Sequence, residues 1–190
     1  MKQLWSPWRI DYIRGEKAAG CVFCAAPREP ASADNLVLFR GQHSYIMMNR
    51  YPYTNGHLMV IPYAHVAMLT EVPSAAQIEM LQEINMSLEV LREVMDPQGF
   101  NVGLNLGASA GAGIRDHLHF HVVPRWVGDT NFMAVIGETN VIVEGLQECF
   151  SQLKPAFDGR CTPLDSGGFR PARGAPELDA DDEPGARGDV

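Results

Sequence analysis

Three of the six histidines in this chain alternate with apolar residues in His117-Leu118-His119-Phe120-His121-Val122-Val123. A strand sends successive side chains to opposite faces, so this spacing predicts a strand with three imidazoles on one face and Leu118, Phe120 and Val122 on the other. Same-face neighbours on a strand lie roughly 6.5–7 Å apart, so one imidazole can attack a substrate while the next holds charge around it. Imidazole suits nucleophile, charge carrier and proton donor near neutral pH because its unperturbed pKa is roughly 6.5. The same alternation suits a metal site, since His-x-His on a strand supplies two ligands to zinc. A single strand histidine can also be an ordinary half-buried polar side chain.

Two further stretches carry chemistry. In Gly107-Ala108-Ser109-Ala110-Gly111-Ala112-Gly113 the small residues let backbone N–H groups come close to an anion. The loop lacks the Lys-Ser/Thr pair of a Walker loop and opens into a strand rather than a helix. Alone it reads equally as a flexible connection. Directly before the histidine strand it is a candidate phosphate cradle, with Asn105 and Ser109 as side-chain contacts and Gly111 and Gly113 offering backbone. Cys21-x-x-Cys24 is either half of a tetrahedral zinc site or a pair of reduced structural cysteines. His43 matches nothing chemical and reads as a turn residue.

The elements that must hold these residues follow from pattern. Residues 35–39 and 44–49 read as two strands joined by a turn, 59–61 as a third closed by Pro62, 100–106 as a fourth and 117–123 as a fifth. Between the third and fourth lies a long helix, with Ser74 as N-cap, Gln77 completing a capping box, and Asp96-Pro97 as its end. Its apolar stripe is expected at Ile78, Leu81, Ile84, Leu88, Leu91 and Met95. A second helix is expected over 142–153, packing Leu146, Phe150 and Leu153. This order predicts an α+β domain built on a mostly antiparallel five-stranded sheet.

Composition narrows the class. With 190 residues and 46% apolar content the chain can bury one sizeable core. No run approaches the roughly 20 apolar residues of a membrane span. The N-terminus, with Trp5, Pro7, Trp8 and Asp11, lacks the apolar stretch of a secretion signal, so a cytoplasmic protein without membrane partners is expected. A net charge of −8 argues against binding nucleic-acid backbone. Half of that charge sits on residues 158–190, where periodicity disappears and Gly, Pro and Asp dominate, so 158–190 is expected to be a disordered tail. Trp5, Pro7, Trp8, Ile10 and Tyr12 are too aromatic for a free end and predict an ordered N-terminal arm on a domain of residues 1–157. Trp126, Asp129 and Phe132 could frame an adenine pocket or a dimer surface, or pack on a neighbouring element.

The histidine motif, with Asn49-Arg50-Tyr51-Pro52-Tyr53, Asn55-Gly56-His57, Gly103-Leu104-Asn105-Leu106-Gly107 and Pro124-Arg125-Trp126, resembles the histidine triad (HIT) superfamily, in particular its bacterial diadenosine tetraphosphate phosphorylases and fragile-histidine-triad hydrolases. The likeness runs from Leu4 to about Phe157. It implies a HIT-type fold, a homodimer, and cleavage of dinucleoside polyphosphates with phosphate or water as acceptor. His119 would be the nucleophile that forms a nucleotidyl-histidine, its second nitrogen held by the His117 carbonyl. His121 would lie against the phosphate, with His57 contacting it, and Asn49 would contact ribose and phosphate. It further implies a structural zinc on Cys21, Cys24, His65 and His117. Magnesium is expected to accompany the polyphosphate, because metal ions commonly bridge such oxygens. Relatives often carry Gln or Ser where this chain has Gly113, which leaves the acceptor open. A phosphoramidase acting on nucleoside phosphoramidates, a nucleotide-binding signalling module without turnover, and a hydrolase with all three triad histidines on one metal are the alternatives.

Overall fold

The structure is a computed structural model that describes residues 20–129, 144–162 and 170–171. The N-terminal arm, Phe132, the first residues expected in the second helix and nearly all of the tail beyond 162 lie outside the described residues. A short helix α1 (Val22–Ala25) is followed by strands β1 (Val37–Arg40), β2 (Ser44–Met48) and β3 (Leu58–Pro62), then the long helix α2 (Ser74–Met95). After it come β4 (Gly99–Leu104), β5 (Phe120–Arg125) and α3 (Leu146–Asp158). A small ribbon, β6 (Cys161–Thr162) with β7 (Arg170–Pro171), completes the described chain. The five strands form one antiparallel sheet in the order β1-β2-β3-β5-β4, as the α+β expectation requires.

β2 and β3 are buried at every residue because the sheet is covered on both faces near its centre. Helix α2 packs on β2, β3 and β5, and α3 lies against β1 and α2. Phe23 of α1 joins the same core. β1 and β4 are the edge strands, and Val102 on β4 is exposed.

Helix α2 is turned relative to the expected stripe. Ile84 and Leu91 are buried, but Ile78 and Leu81 are 58% and 56% exposed, while Ala76, Glu79, Met80, Glu83, Ser87 and Val90 face inward. The inward arc contains two glutamates and a serine that an apolar count assigns to solvent. The burial of Glu79 is explained by the β1–β2 turn beneath it. Glu79 Oε1 accepts the backbone N–H groups of His43 (2.8 Å) and Ser44 (3.1 Å) and the Ser44 hydroxyl (3.3 Å). A Cβ on Gly41 would meet Glu79 Oε1 at 2.1 Å and Glu83 Oε1 at 2.6 Å, so only glycine fits there. Burial pushes the Glu83 carboxyl well above the usual carboxylate range. The helix start also differs from expectation. Pro73 occupies the N-cap position and, lacking a side-chain acceptor, makes no cap, while Gln77 donates to the carbonyls of Leu69 (3.2 Å) and Val72 (2.8 Å).

The turned helix makes a direct forecast for urea unfolding. Leu91→Ala removes a fully buried side chain and is expected to cost about 2–5 kcal/mol. Leu81→Ala, on the exposed face, should change stability by no more than about 0.5 kcal/mol. Equal costs at the two positions would refute the observed rotation.

Candidate active site and metal centre

The histidine segment enters the sheet later than its alternation predicts. β5 pairs with β3 only from Phe120, opposite Val60, to Val122, opposite Leu58. Towards the motif's start β3 ends at Pro62, whose missing N–H cannot continue a ladder. The Pro62 carbonyl instead accepts the His117 ring through Nε2 at 2.8 Å, and Leu118 N–H donates to the Val66 carbonyl at 2.7 Å. His117 is thereby turned out of the row. The expectation of three imidazoles on one face holds for His119 and His121, whose ring centroids lie 4.8 Å apart, and fails for His117. At the other end the strand runs on to Pro124 and Arg125. Proline is tolerated there because the Pro124 carbonyl is taken by the Thr54 hydroxyl (2.9 Å) rather than by a strand.

Hydrogen-bond partners assign the tautomers of four imidazoles. His119 Nδ1 faces the His117 carbonyl at 3.0 Å and must carry the proton, which leaves Nε2 with a bare lone pair. His57 Nδ1 accepts the Tyr53 backbone N–H at 3.1 Å, with the Asn49 amide 3.4 Å away, so its proton is on Nε2. That Nε2–H donates to His121 Nδ1 at 2.9 Å, which puts the His121 proton on Nε2. His119 therefore presents a lone pair beside a His121 that presents a donor. Burial lowers every one of these pKa values: His57 to about 3 and His121 to about 4, each also depressed by the facing imidazoles, with His119 and His117 lowered as well.

The fourth imidazole belongs to a second cluster. His117 donates through Nε2, so its Nδ1 is bare, and it lies 3.3 Å from Cys21 Sγ, 3.5 Å from Cys24 Sγ and 3.2 Å from His65 Nδ1. Cys24 Sγ is 3.3 Å from His65 Nδ1. Tetrahedral zinc with bonds of about 2.3 Å to sulfur and about 2.05 Å to nitrogen has sulfur–nitrogen edges of about 3.6 Å and nitrogen–nitrogen edges of about 3.4 Å. All four donor atoms lie within 4.8 Å of one another. The set matches a closed Cys2His2 zinc site in ligand type and size, and the Pro62 carbonyl on His117 supplies the outer hydrogen bond that such ligands use. A site with His117, His119 and His121 on one ion is not formed, because His117 and His119 turn their Nδ1 atoms to different partners.

From His121 a trough of about 810 Å³ runs along β4 and β5 past Val123 to Arg125, with Tyr53, Asn105 and Trp126 in its walls. Arg125 is clamped on Asp129 (2.6 and 2.8 Å) and Asn101 (2.9 Å), so Asp129 serves the turn that carries Trp126. Asn49 holds its own turn, accepting the Tyr51 N–H at 2.9 Å, while its amide faces His57. Ser109, Gly111 and Gly113 lie exposed on the glycine loop. Gly111 has φ +85°, a conformation that favours glycine, and nothing stands within 4 Å of a Cβ at Gly111 or Gly113. Residue-type reasoning missed Phe23, Tyr53 and Thr54, whose parts depend on contacts distant in sequence. Only the glycine in Asn55-Gly56-His57 hinted at the tight turn that brings Tyr53 N–H onto His57.

The HIT domain family model matches residues 31–127. A Mycobacterium tuberculosis protein named AP-4-A phosphorylase is 38% identical over 156 residues, covering 78% of this chain and 80% of that protein. Adenosine 5′-monophosphoramidase of Saccharomyces cerevisiae is 29% identical over 107 residues, covering 56% and 63%. Among solved structures, a zinc-bound histidine triad family protein of Mycobacterium smegmatis superposes with a TM-score of 0.59 at 25% identity, covering 74% of this chain and 94% of its own.

The neutral imidazoles make stability depend on pH. An unfolded histidine takes up its proton near pH 6.5, whereas His57 does so only near pH 3 in the fold, so the unfolded state binds more protons in between and stability falls as pH drops. His57 should contribute a slope of about 1.4 kcal/mol per pH unit within that window. Urea midpoints of the wild type and His57→Asn from pH 7 to pH 4 check this, and the variant should show the shallower decline.

Proposed function

The chain belongs to the HIT domain family, and from that premise we propose that it is a nucleotide phosphorylase or hydrolase that opens dinucleoside polyphosphates, diadenosine tetraphosphate first among them, through a nucleotidyl-histidine on His119. The observation that carries this reading is the pairing of a bare His119 Nε2 with a neighbouring His121 Nε2–H, the ring centroids 4.8 Å apart and His121 lining the trough. Nε2 attacks the α-phosphorus, the phosphorus–nitrogen bond forms, and the bond to the bridging oxygen breaks to release ATP. Nδ1 of His119 keeps its proton throughout. As the ring becomes cationic its bond to the His117 carbonyl strengthens, so the intermediate gains more than the free enzyme does. His121 donates to a phosphoryl oxygen, with His57 holding it in the donating tautomer. Phosphate or water then attacks the same phosphorus, the nitrogen leaves, and ADP or AMP is released.

The glycine loop, with Asn105, Ser109, Gly111 and Gly113, carries the substrate's phosphates on backbone N–H groups. Asn49 contacts the bound nucleoside. Arg125 lies four residues along the strand from His121, about 13 Å, so the trough has the length to take the distal nucleotide. Zinc on Cys21, Cys24, His65 and His117 ties the knuckle at Cys21 to the triad segment and supplies no step of the reaction. Magnesium arrives with the polyphosphate. The domain comprises residues 1–157 with its arm, and 158–190 form the tail. The exposed β4 edge suits a homodimer, since an unpaired antiparallel edge can be satisfied by its own copy. Among the described residues no helix is long and apolar enough to cross a membrane. The reading places the protein in the cytoplasm, acting on nucleotides.

Incubation with diadenosine tetraphosphate in oxygen-18 water, with and without phosphate, should give unlabelled ADP and ATP when phosphate is present. Labelled AMP with ATP would make the protein a hydrolase. Absence of product with either acceptor, alongside turnover of adenosine phosphoramidate, would transfer the assignment to the phosphoramidases. His119→Asn should lose turnover by at least about 1,000-fold while still binding nucleotide in calorimetry.

A further inference from the structure

Phe23 stands between Cys21 and Cys24 but turns its ring inward, where it is 4% exposed. The ring lies 4.8 Å from the His119 ring at 57° and 5.6 Å from the His117 ring, edge-on at 82°. Its backbone is fastened independently. The Phe23 carbonyl accepts the hydroxyl of Tyr45 at 2.7 Å, and Tyr45 is fully buried and stacked on Tyr63 with centroids 5.5 Å apart.

His119 needs such a neighbour. Rotation of an imidazole about its last torsion is broad and roughly two-fold, so the single bond from Nδ1 to the His117 carbonyl selects a tautomer without holding the ring plane. The plane is set by the rings packed against it. One is His121, which is bonded to His57 and packs on Tyr53. The other is Phe23, which is buried in the core and presents no group able to compete for either ring nitrogen.

We propose that Phe23 is a positioning residue for nucleotidyl transfer, the wall that keeps the His119 imidazole with its Nδ1–H on the His117 carbonyl and its Nε2 directed at the phosphorus. This rests on His119 being the nucleophile. A misdirected nucleophile can cost about a hundredfold in rate, so the effect falls on turnover rather than on binding.

The test uses the full chain carrying Phe23→Ala, Phe23→Leu or Tyr45→Phe, with three readouts: kcat and KM on diadenosine tetraphosphate, zinc bound per protein, and histidine 15N–1H correlation spectra at pH 8. Phe23→Ala should lower kcat about 10- to 100-fold with KM within about threefold and zinc unchanged, and its His119 signals should average between tautomers where the wild type shows one. Phe23→Leu, which restores most of the volume, should return kcat to within about threefold of wild type. Unchanged kcat with a single tautomer would overturn the proposal. So would a loss of turnover that tracks loss of zinc, since that is a structural effect. If Phe23→Ala does not fold, Tyr45→Phe decides: a three- to tenfold fall in kcat at constant KM supports the wall, and an unchanged kcat refutes it. If the wild type turns over no dinucleotide, the function proposed for His119 fails, and the tautomer spectra still judge the wall.

Discussion

His117 is the residue through which the two histidine clusters are joined. Its Nε2 is bound to the carbonyl of Pro62, its Nδ1 faces two thiols and a second imidazole, and its own carbonyl takes the proton of His119. Each neutral hydrogen bond of this kind is worth only about 0.5–1.5 kcal/mol net, but an orphaned buried partner costs about 1–3 kcal/mol. The arrangement is thus kept less by its bonds than by the penalty for any other arrangement. It also sits where β5 leaves its ladder, so the end of β3 at a proline and the departure of one histidine from the row have a common cause.

Burial defines what the remaining imidazoles can do. His57 and His119 are buried and His121 is half-buried, so the charged form of each is disfavoured, and a neutral imidazole is the form that has a lone pair to offer. In the proposed reaction a polyphosphate brings the opposite field and favours protonation of whatever faces it. The enclosure that keeps His119 neutral in the free protein would then sharpen the response of His121 to an anionic substrate. Two rings of similar chemistry acquire different duties because one is bound to a carbonyl and the other to an imidazole.

Some of this was readable from residue order and some was not. The alternation at 117–123 identified His119 and His121 as neighbours because strand periodicity is a local property. It misplaced His117, since the ladder's end is decided on β3, 55 residues earlier. The apolar count on α2 found its length and missed its rotation, because Glu79 is drawn inward by the bare amides of a turn on another element and Glu83 is buried along with it. Cys21-x-x-Cys24 alone left two readings open; the company of His65 and His117 came from family likeness, and the four atoms meet in space. Phe23 carried no signal at all, as an aromatic residue in a knuckle says nothing about which ring it will touch.

The histidine relay begins at a peptide group. Tyr53 N–H cannot ionise, rotate or exchange its donor character, and with the Asn49 amide it settles which nitrogen of His57 is bare, which in turn orients His121. The direction of the relay is accordingly written first in main chain. Nineteen of the twenty genetically encoded residues carry the N–H that transmits this polarity from position 53, while the Tyr53 ring has a separate part, packing 4.5 Å from His57 and 5.8 Å from His121. Proline, lacking that hydrogen, is the one substitution able to reverse the sense of the whole array.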